Sequence, residues 1–310
     1  MKQTHIKDVF FDLDHTLWDF DKNSELTFGG IFSRNHPEVE IKDFIDKYVP
    51  INQACWKLYQ YDKITHEELR YNRLKHSFDA INYSISDSDI NKISDEYIAF
   101  LPENNHLFDG TIEVLDYLKP NYNLHIITNG FADVQFKKMK NSKISSYFLT
   151  VTNSEMAGVK KPNPTIFDFA LDLAKAKKEN SIMIGDSLDA DVQGALDAGL
   201  DAIYFNEKNI EVENNIKHIS HLFLMYVWFE RNYGSPSKDR SQPHIFKTEL
   251  IPNADNTQQI TANKEQLQKE TEAKEKQFAE QHKALREREQ KLFELSASLE
   301  EREKILANID

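Results

Sequence analysis

Val9-Phe10-Phe11-Asp12-Leu13-Asp14-His15-Thr16-Leu17 is the stretch that decides how this chain reads. Its apolar opening predicts a buried strand. The run then ends in two carboxylates spaced two apart. Inside a strand such residues face the same way, but just past its end the chain can fan both around one point. Crowded acids repel, so a bare pair is hard to ionise. A hard divalent cation such as Mg²⁺, which takes oxygen ligands, removes that difficulty. The pattern implies one carboxylate bound to metal and free to attack, with the other close by to handle protons. The plainer reading is that both residues end a strand and cap a turn.

Working outward, three more apolar runs end in polar groups of a related kind. Leu124 to Ile127 closes on Thr128-Asn129-Gly130. Gly158-Val159-Lys160-Lys161-Pro162-Asn163-Pro164 leads into a helix over Thr165 to Ala174, with Pro162 and Pro164 suited to a stiff helix start. Ser181 to Ile184 runs into Gly185-Asp186-Ser187-Leu188-Asp189-Ala190-Asp191. A strand at Tyr147 to Thr152 and a last one at Asp201 to Phe205 complete a strand–helix alternation. That alternation predicts an α/β fold: a mostly parallel, Rossmann-like sheet with helices on both faces and a site at the carboxyl edge of the strands.

Hydrophobic-Asp-x-Asp-x-Thr, strand-Thr, Lys-Pro before a helix and Gly-Asp-x₄-Asp, in that order, resemble the four signatures of the haloacid dehalogenase superfamily, most of whose members are phosphohydrolases. The resemblance covers Lys7 to Phe205. It implies Asp12 as nucleophile, Asp14 as general acid/base, and Mg²⁺ held by Asp12, Asp186 and the Asp14 backbone carbonyl. Thr128, the backbone N–H groups of Asn129 and Gly130, and the Lys161 ammonium would receive phosphoryl oxygens, and Asp191 would orient a metal-bound water or Lys161. Dehalogenases of the family lack the second Asp, so Asp14 argues for phosphoryl chemistry. The match assigns Asp189 no role.

Between Trp18 and His106 the chain changes character. Amphipathic helices are predicted at Asn23 to Asn35, Ile41 to Tyr59, Thr65 to Phe78 and Ser86 to Leu101. Thr65 and Glu68 form a capping box, and Asp87 or Ser88 caps the last helix. An all-helical insert at this place resembles the family's cap, which closes over the site and selects the substrate. Its candidate readers are His36, His66, His76, Arg34, Arg70, Arg73, Trp56, Tyr59 and Tyr61, with Trp18, Asp19 and Phe20 at the hinge. The run Phe11-Asp12-Leu13-Asp14-His15-Thr16-Leu17-Trp18-Asp19-Phe20, the insert length and Leu107-Phe108-Asp109-Gly110 resemble the bacterial pyrimidine 5′-nucleotidases. This implies a nucleoside monophosphate substrate. A phosphosugar mutase or a phosphoglycolate-type phosphatase shares the core and differs in the cap.

The domain reading is therefore a catalytic core over 1–18 and 107–222, a helical cap over 19–106, a linker or irregular segment over 223–255 and a helical tail over 256–310. In the tail Phe278, Leu285, Leu292, Leu299 and Leu306 recur at a spacing of seven. A coiled coil that dimerises the chain or docks a partner, a single charged helix, and a segment acquired by fusion or frameshift are the three readings. The first carries an alternative function of another class, an interaction protein with the phosphatase core as scaffold.

The chain has 310 residues and a formal net charge of −13. That disfavours nucleic acid or an anionic membrane as a main partner. A lone cysteine, Cys55, excludes an internal disulfide and reads as a small buried side chain in a reducing compartment. With no apolar signal core before the first strand and no spanning run, the expected location is cytoplasmic.

Overall fold

The computed structural model describes residues 6–233. The heptad-patterned tail and all but the start of the segment over 223–255 lie outside the described residues. The apolar run at the start forms β1 (Asp8–Phe11). Four helices follow: α1 (Phe20–Asn35), α2 (Ile41–Gln60), α3 (His66–Ala80) and α4 (Asp87–Phe100). Then come α5 (Thr111–Leu118), β2 (Asn123–Thr128), α6 (Ala132–Asn141), β3 (Thr150–Asn153), the single turn α7 (Ser154–Ala157) and α8 (Pro164–Ala174). The chain closes with β4 (Ser181–Gly185), α9 (Gly194–Ala198), β5 (Asp201–Phe205), β6 (His218–Ile219) and α10 (Leu224–Tyr233).

The six strands form one sheet in the order β3-β2-β1-β4-β5-β6, every pair parallel. Alternate residues of each strand enter opposite cores, as a pleated strand requires. Val9, Phe11, Ile126 and Ile184 face α5, α6 and α10, whereas Phe10, Ile127, Met183 and Tyr204 face α8 and α9. Strand order reverses beside β1: the chain leaves β1 for β2 on one side, and β4 returns to pair with it on the other. The crevice outside the carboxyl ends of β1 and β4 is where open sheets of this kind bind ligands.

The helical insert folds around its own aromatic centre. Phe28 stacks on Tyr97 with centroids 4.4 Å apart, and Phe32 meets Phe44 edge-on at 4.8 Å. Thr65 and Glu68 make the expected capping box. Two caps differ from the sequence reading. Asp19 accepts from Lys22 N, which starts α1 at Phe20 rather than Asn23. Ser86, not Asp87 or Ser88, caps α4 by accepting from Asp89 N. In both cases the side chain that reaches the N3 amide lies one or more residues before the first apolar-periodic position.

Two corrections concern the end of the described chain. Asp201 to Phe205 is not the last strand, because His218 and Ile219 add a sixth. A two-residue strand flanked by polar residues has no apolar run to announce it. The linker expected from 223 begins instead as α10, whose Met225 and Phe229 are fully buried. Tyr226 packs on Tyr117 at 4.6 Å and Phe229 on Tyr122 at 5.1 Å. The aromatic density of this segment is explained by the sheet face it covers. Among the described residues no helix is long and apolar enough to cross a membrane.

Candidate active site

A turn of unusual tightness follows β1. The Leu13 carbonyl accepts from the backbone N–H groups of Leu17 and Trp18 at 3.0 and 2.9 Å, and His15 takes the left-handed region at φ 61°. Past this reversal the two carboxylates have different partners, Lys161 for Asp12 and Gln135 with Lys138 for Asp14. Thr16 Oγ1 donates to Asp186 Oδ1 at 3.3 Å, tying the β1 turn to the β4 turn.

Asp12, Asp186 and Asp191 converge, with one carboxylate oxygen from each within 4.8 Å of the others. Burial raises the Asp12 carboxyl to about 7; the charges of Asp191 and Asp14 add to this and Lys161 opposes it. Burial, then the charges of Asp191 and Asp12, holds Asp186 well above its ordinary value. These are hard oxygen donors in excess of the cations around them, the set that suits Mg²⁺. The carboxylate of Asp14 is absent from the convergence, which leaves the backbone carbonyl as the contribution expected of this residue.

Lys161 is 2% exposed and saturated. Its ammonium donates to Asp12 Oδ1 at 2.8 Å, Ile127 O at 2.7 Å and Asp191 Oδ1 at 2.6 Å. An ammonium has three N–H groups, so a direct hydrogen bond to a phosphoryl oxygen requires exchange of one partner, while its charge acts without exchange. Burial opposes that charge, but the two carboxylates outweigh burial and raise the lysine above its ordinary value. Asp191 is completed by Ser187 N, which donates to Oδ2 at 3.0 Å. A Cβ at Gly185 would stand 2.2 Å from that oxygen, so the glycine is required by close approach.

Thr128 ends β2 at the same edge. Its hydroxyl oxygen accepts from Gly130 N at 3.1 Å and Gln135 Nε2 at 2.7 Å. Both lone pairs are thereby occupied, and the hydroxyl proton is left to point elsewhere. The Gly130 N–H, expected at a phosphoryl oxygen, is spent on this turn, a local bond that Thr offers its own backbone two residues on. The Asn129 side chain clips the Lys161 loop, donating to Lys161 O at 3.0 Å and accepting from Lys161 N at 2.7 Å.

Sequence reasoning missed two residues of α6. Lys138 Nζ donates to Asp14 Oδ1 at 2.6 Å, and Gln135 Nε2 donates to Asp14 Oδ2 at 3.0 Å. Their spacing of three places both on one helix face, and polar residues on a buried face were the available signal. Lys138 also lies over the Trp18 and Phe20 rings, at 4.3 and 5.0 Å from their centroids.

A cleft of about 840 Å³ opens over these groups and is walled by the insert. Trp56 and Tyr59 line it, backed by Phe131, which packs on Trp56 at 5.6 Å and on His66 at 4.1 Å. At the rim Lys57, Gln60 and Tyr61 all donate to Asp189 Oδ2, at 2.9, 2.8 and 2.6 Å. Lys160 pairs with Asp62. Asp19 and Phe20 line the cleft, whereas Trp18 is buried beneath it. Arg34, His36 and Arg70 are engaged within the insert by Glu96, Tyr83 and Ser94. Arg73 is buried against Tyr97 and Asn52.

A family model described as haloacid dehalogenase-like hydrolase matches residues 9–205. The chain belongs to the haloacid dehalogenase-like hydrolases. It is 32% identical over 207 residues to pyrimidine 5′-nucleotidase PynA of Streptococcus pneumoniae, covering 66% of this chain and 86% of that one. Pyrimidine 5′-nucleotidase YjjG of Escherichia coli is 30% identical over 209 residues, covering 67% and 89%. Among solved structures, the HAD-hydrolase YfnB of Bacillus subtilis aligns with a TM-score of 0.66 at 26% identity, over 73% of this chain and 99% of that one. That protein's structure is bound to magnesium and reveals interdomain movement. In this hydrolase Asp12, Thr128 and Asp186 stand at the carboxyl ends of β1, β2 and β4, with Lys161 bonded to Asp12.

Proposed function

We propose that this hydrolase is a Mg²⁺-dependent phosphomonoesterase acting through an aspartyl-phosphate, with pyrimidine nucleoside 5′-monophosphates as its substrates. The observation that carries the chemistry is the arrangement of Asp12 and Asp14. One is buried in a carboxylate cluster beside a lysine; the other lies two residues on, outside that cluster and held by its own donors. An Asp12 oxygen attacks phosphorus as the bond to the leaving 5′-oxygen breaks, and Asp14 gives that oxygen its proton. Water then attacks the phosphorus of the aspartyl-phosphate, Asp14 takes the proton, and the bond to Asp12 breaks to release phosphate. Asp12, Asp186 and the Asp14 carbonyl would hold Mg²⁺, which supplies charge neutralisation at the phosphoryl group. The Thr128 hydroxyl points its free proton at a phosphoryl oxygen, and Lys161 offsets the accumulated negative charge. The core over 1–18 and 107–222 does the chemistry, and the insert over 19–106 acts as the cap.

The substrate class is supported by the two nucleotidase relatives and by the Trp56–Tyr59 wall, an aromatic surface suited to a planar base. The test is phosphate release from a panel of nucleoside monophosphates and sugar phosphates, with Mg²⁺ and with EDTA. Metal-dependent release that favours pyrimidine nucleotides is expected. Asp12→Asn should abolish turnover with the fold intact; wild-type activity in that variant overturns the assignment.

A further inference from the structure

We infer that Gln135 and Lys138 are positioning residues for Asp14, and that Gln135 sets Asp14 and the phosphoryl-binding Thr128 with a single amide. The inference rests on the phosphomonoesterase reading and goes beyond the four signatures, which assign neither residue a role. Gln135 is 1% exposed and Lys138 2%. One nitrogen of Gln135 reaches Thr128 Oγ1 at 2.7 Å and Asp14 Oδ2 at 3.0 Å. Lys138 holds the other Asp14 oxygen at 2.6 Å. Asp14 therefore has neither oxygen free to swing, and its plane is set by two side chains of one helix.

The Gln135 amide is placed for the site at a cost to itself. Its Oε1 is buried and has no hydrogen-bond partner among the described residues. A buried orphan acceptor is destabilising, so the orientation needs a compensating reason. Turning the amide over would set Oε1 against the Asp14 carboxylate, two acceptors face to face. The observed orientation is the one that serves both neighbours. The glycine at 130 belongs to the same device, since a Cβ there would stand 2.3 Å from Gln135 Nε2. Lys138 is fixed in turn by the Trp18 and Phe20 rings, so its ammonium stays beside Asp14 even in a buried place.

The consequence lies in the leaving group. An alkyl phosphate expels an alkoxide that needs a proton from a well-placed acid; a nitrophenolate leaves without one. Misplacing Asp14 should therefore cost the alkyl ester far more. The experiment compares kcat/KM for an alkyl monoester, dTMP first and otherwise whichever one the wild type turns over, with kcat/KM for p-nitrophenyl phosphate. Gln135→Leu and Lys138→Met are each expected to lower the alkyl value roughly 100-fold and the aryl value less than about 10-fold, the pattern also expected of Asp14→Asn. Added to Asp14→Asn, Gln135→Leu should leave the alkyl-to-aryl ratio unchanged, because its effect runs through Asp14. Gly130→Ala should reproduce the Gln135→Leu pattern and stands in if that variant fails to fold, as Lys138→Gln does for Lys138→Met. An equal fall on both esters, no fall on either, or a further change of ratio in the Asp14→Asn background overturns the inference. Failure of the underlying reading shows separately, as activity retained in Asp12→Asn.

Discussion

Asp189 and Asp191 stand two residues apart in the turn after β4, and each accepts several hydrogen bonds, yet they do different work. Asp191 is 1% exposed and spreads its bonds over two oxygens, one to Lys161 and one to Ser187 N. The Asp189 side chain is 37% exposed and takes three donors from the insert on one oxygen. The first is desolvated and has no water to replace a lost partner. The second has water beside it, so its partners come and go at low cost. Donor count alone does not rank the two; access to water does. Burial is the largest single influence on Asp189 and raises it, but the hydrogen bonds from Tyr61, Lys57 and Gln60 and the Lys57 charge together outweigh it and hold this carboxyl below its ordinary value.

The sharpest way to break this comparison is Asp191→Ala. It removes one of the two carboxylates bonded to the buried Lys161 ammonium and leaves Ser187 N without its acceptor, and should cost about 1–3 kcal/mol of unfolding free energy, read by urea denaturation. Gly185→Ala should cost about 1–3 kcal/mol by the same measurement, because the new Cβ displaces the Asp191 carboxylate. Asp189→Ala removes three donors' acceptor and still should change stability by less than about 1 kcal/mol. Its effect belongs in substrate capture: the KM should rise while the alkyl-to-aryl ratio stays put, and 0.5 M salt (roughly, enough to shrink the screening length to a few ångströms) should narrow the gap to wild type. A stability loss at Asp189 as large as at Asp191 would sink the contrast.

His125 extends the comparison to a buried group with a weak counter-charge. It is buried in β2, bonded to Thr150 Oγ1 at 2.8 Å, with Asp8 Oδ1 at 3.4 Å. Burial lowers its pKa, and Asp8 opposes this without reversing it. The folded state therefore takes up its proton later than the unfolded chain on acidification. The stability that His125 contributes is complete above about pH 6.5 and shrinks as pH falls toward the lowered folded value. Thermal midpoints between pH 8 and pH 5 should fall less steeply in His125→Phe than in wild type; identical slopes would remove the histidine from the account.

The signatures were legible because they are local. Asp12, Thr128 and Asp186 each end an apolar run, and a strand that delivers a polar residue to the sheet edge can be read from a few adjacent letters. Thr65 and Glu68 cap α3 for the same reason, with both partners inside one turn. The Asp191–Lys161 bond was one of two readings that the family pattern left open, and the structure places the ammonium there. Gln135 and Lys138 were not legible. Their partner Asp14 is 121 and 124 residues away, and on α6 alone the one signal, polar residues on the face that Val134 and Met139 bury, names no partner. Asp189 failed differently: it was noticed and given no role, because its three partners come from the end of α2, more than 120 residues earlier.

By itself the sequence determined a parallel α/β sheet, an all-helical insert after its first strand and the polar groups that end its strands. Periodicity and strand ends are properties of neighbouring residues, and burial of apolar faces leaves few ways to satisfy them. Only the tertiary structure decided how those groups divide the charge between them. Lys161 serves Asp12 and Asp191, Lys138 serves Asp14, and the surface lysine Lys57 serves Asp189. Which ammonium meets which carboxylate, and with how much water between, depends on distances of a few ångströms between elements far apart in the chain. Coulomb interactions and desolvation change steeply over those distances.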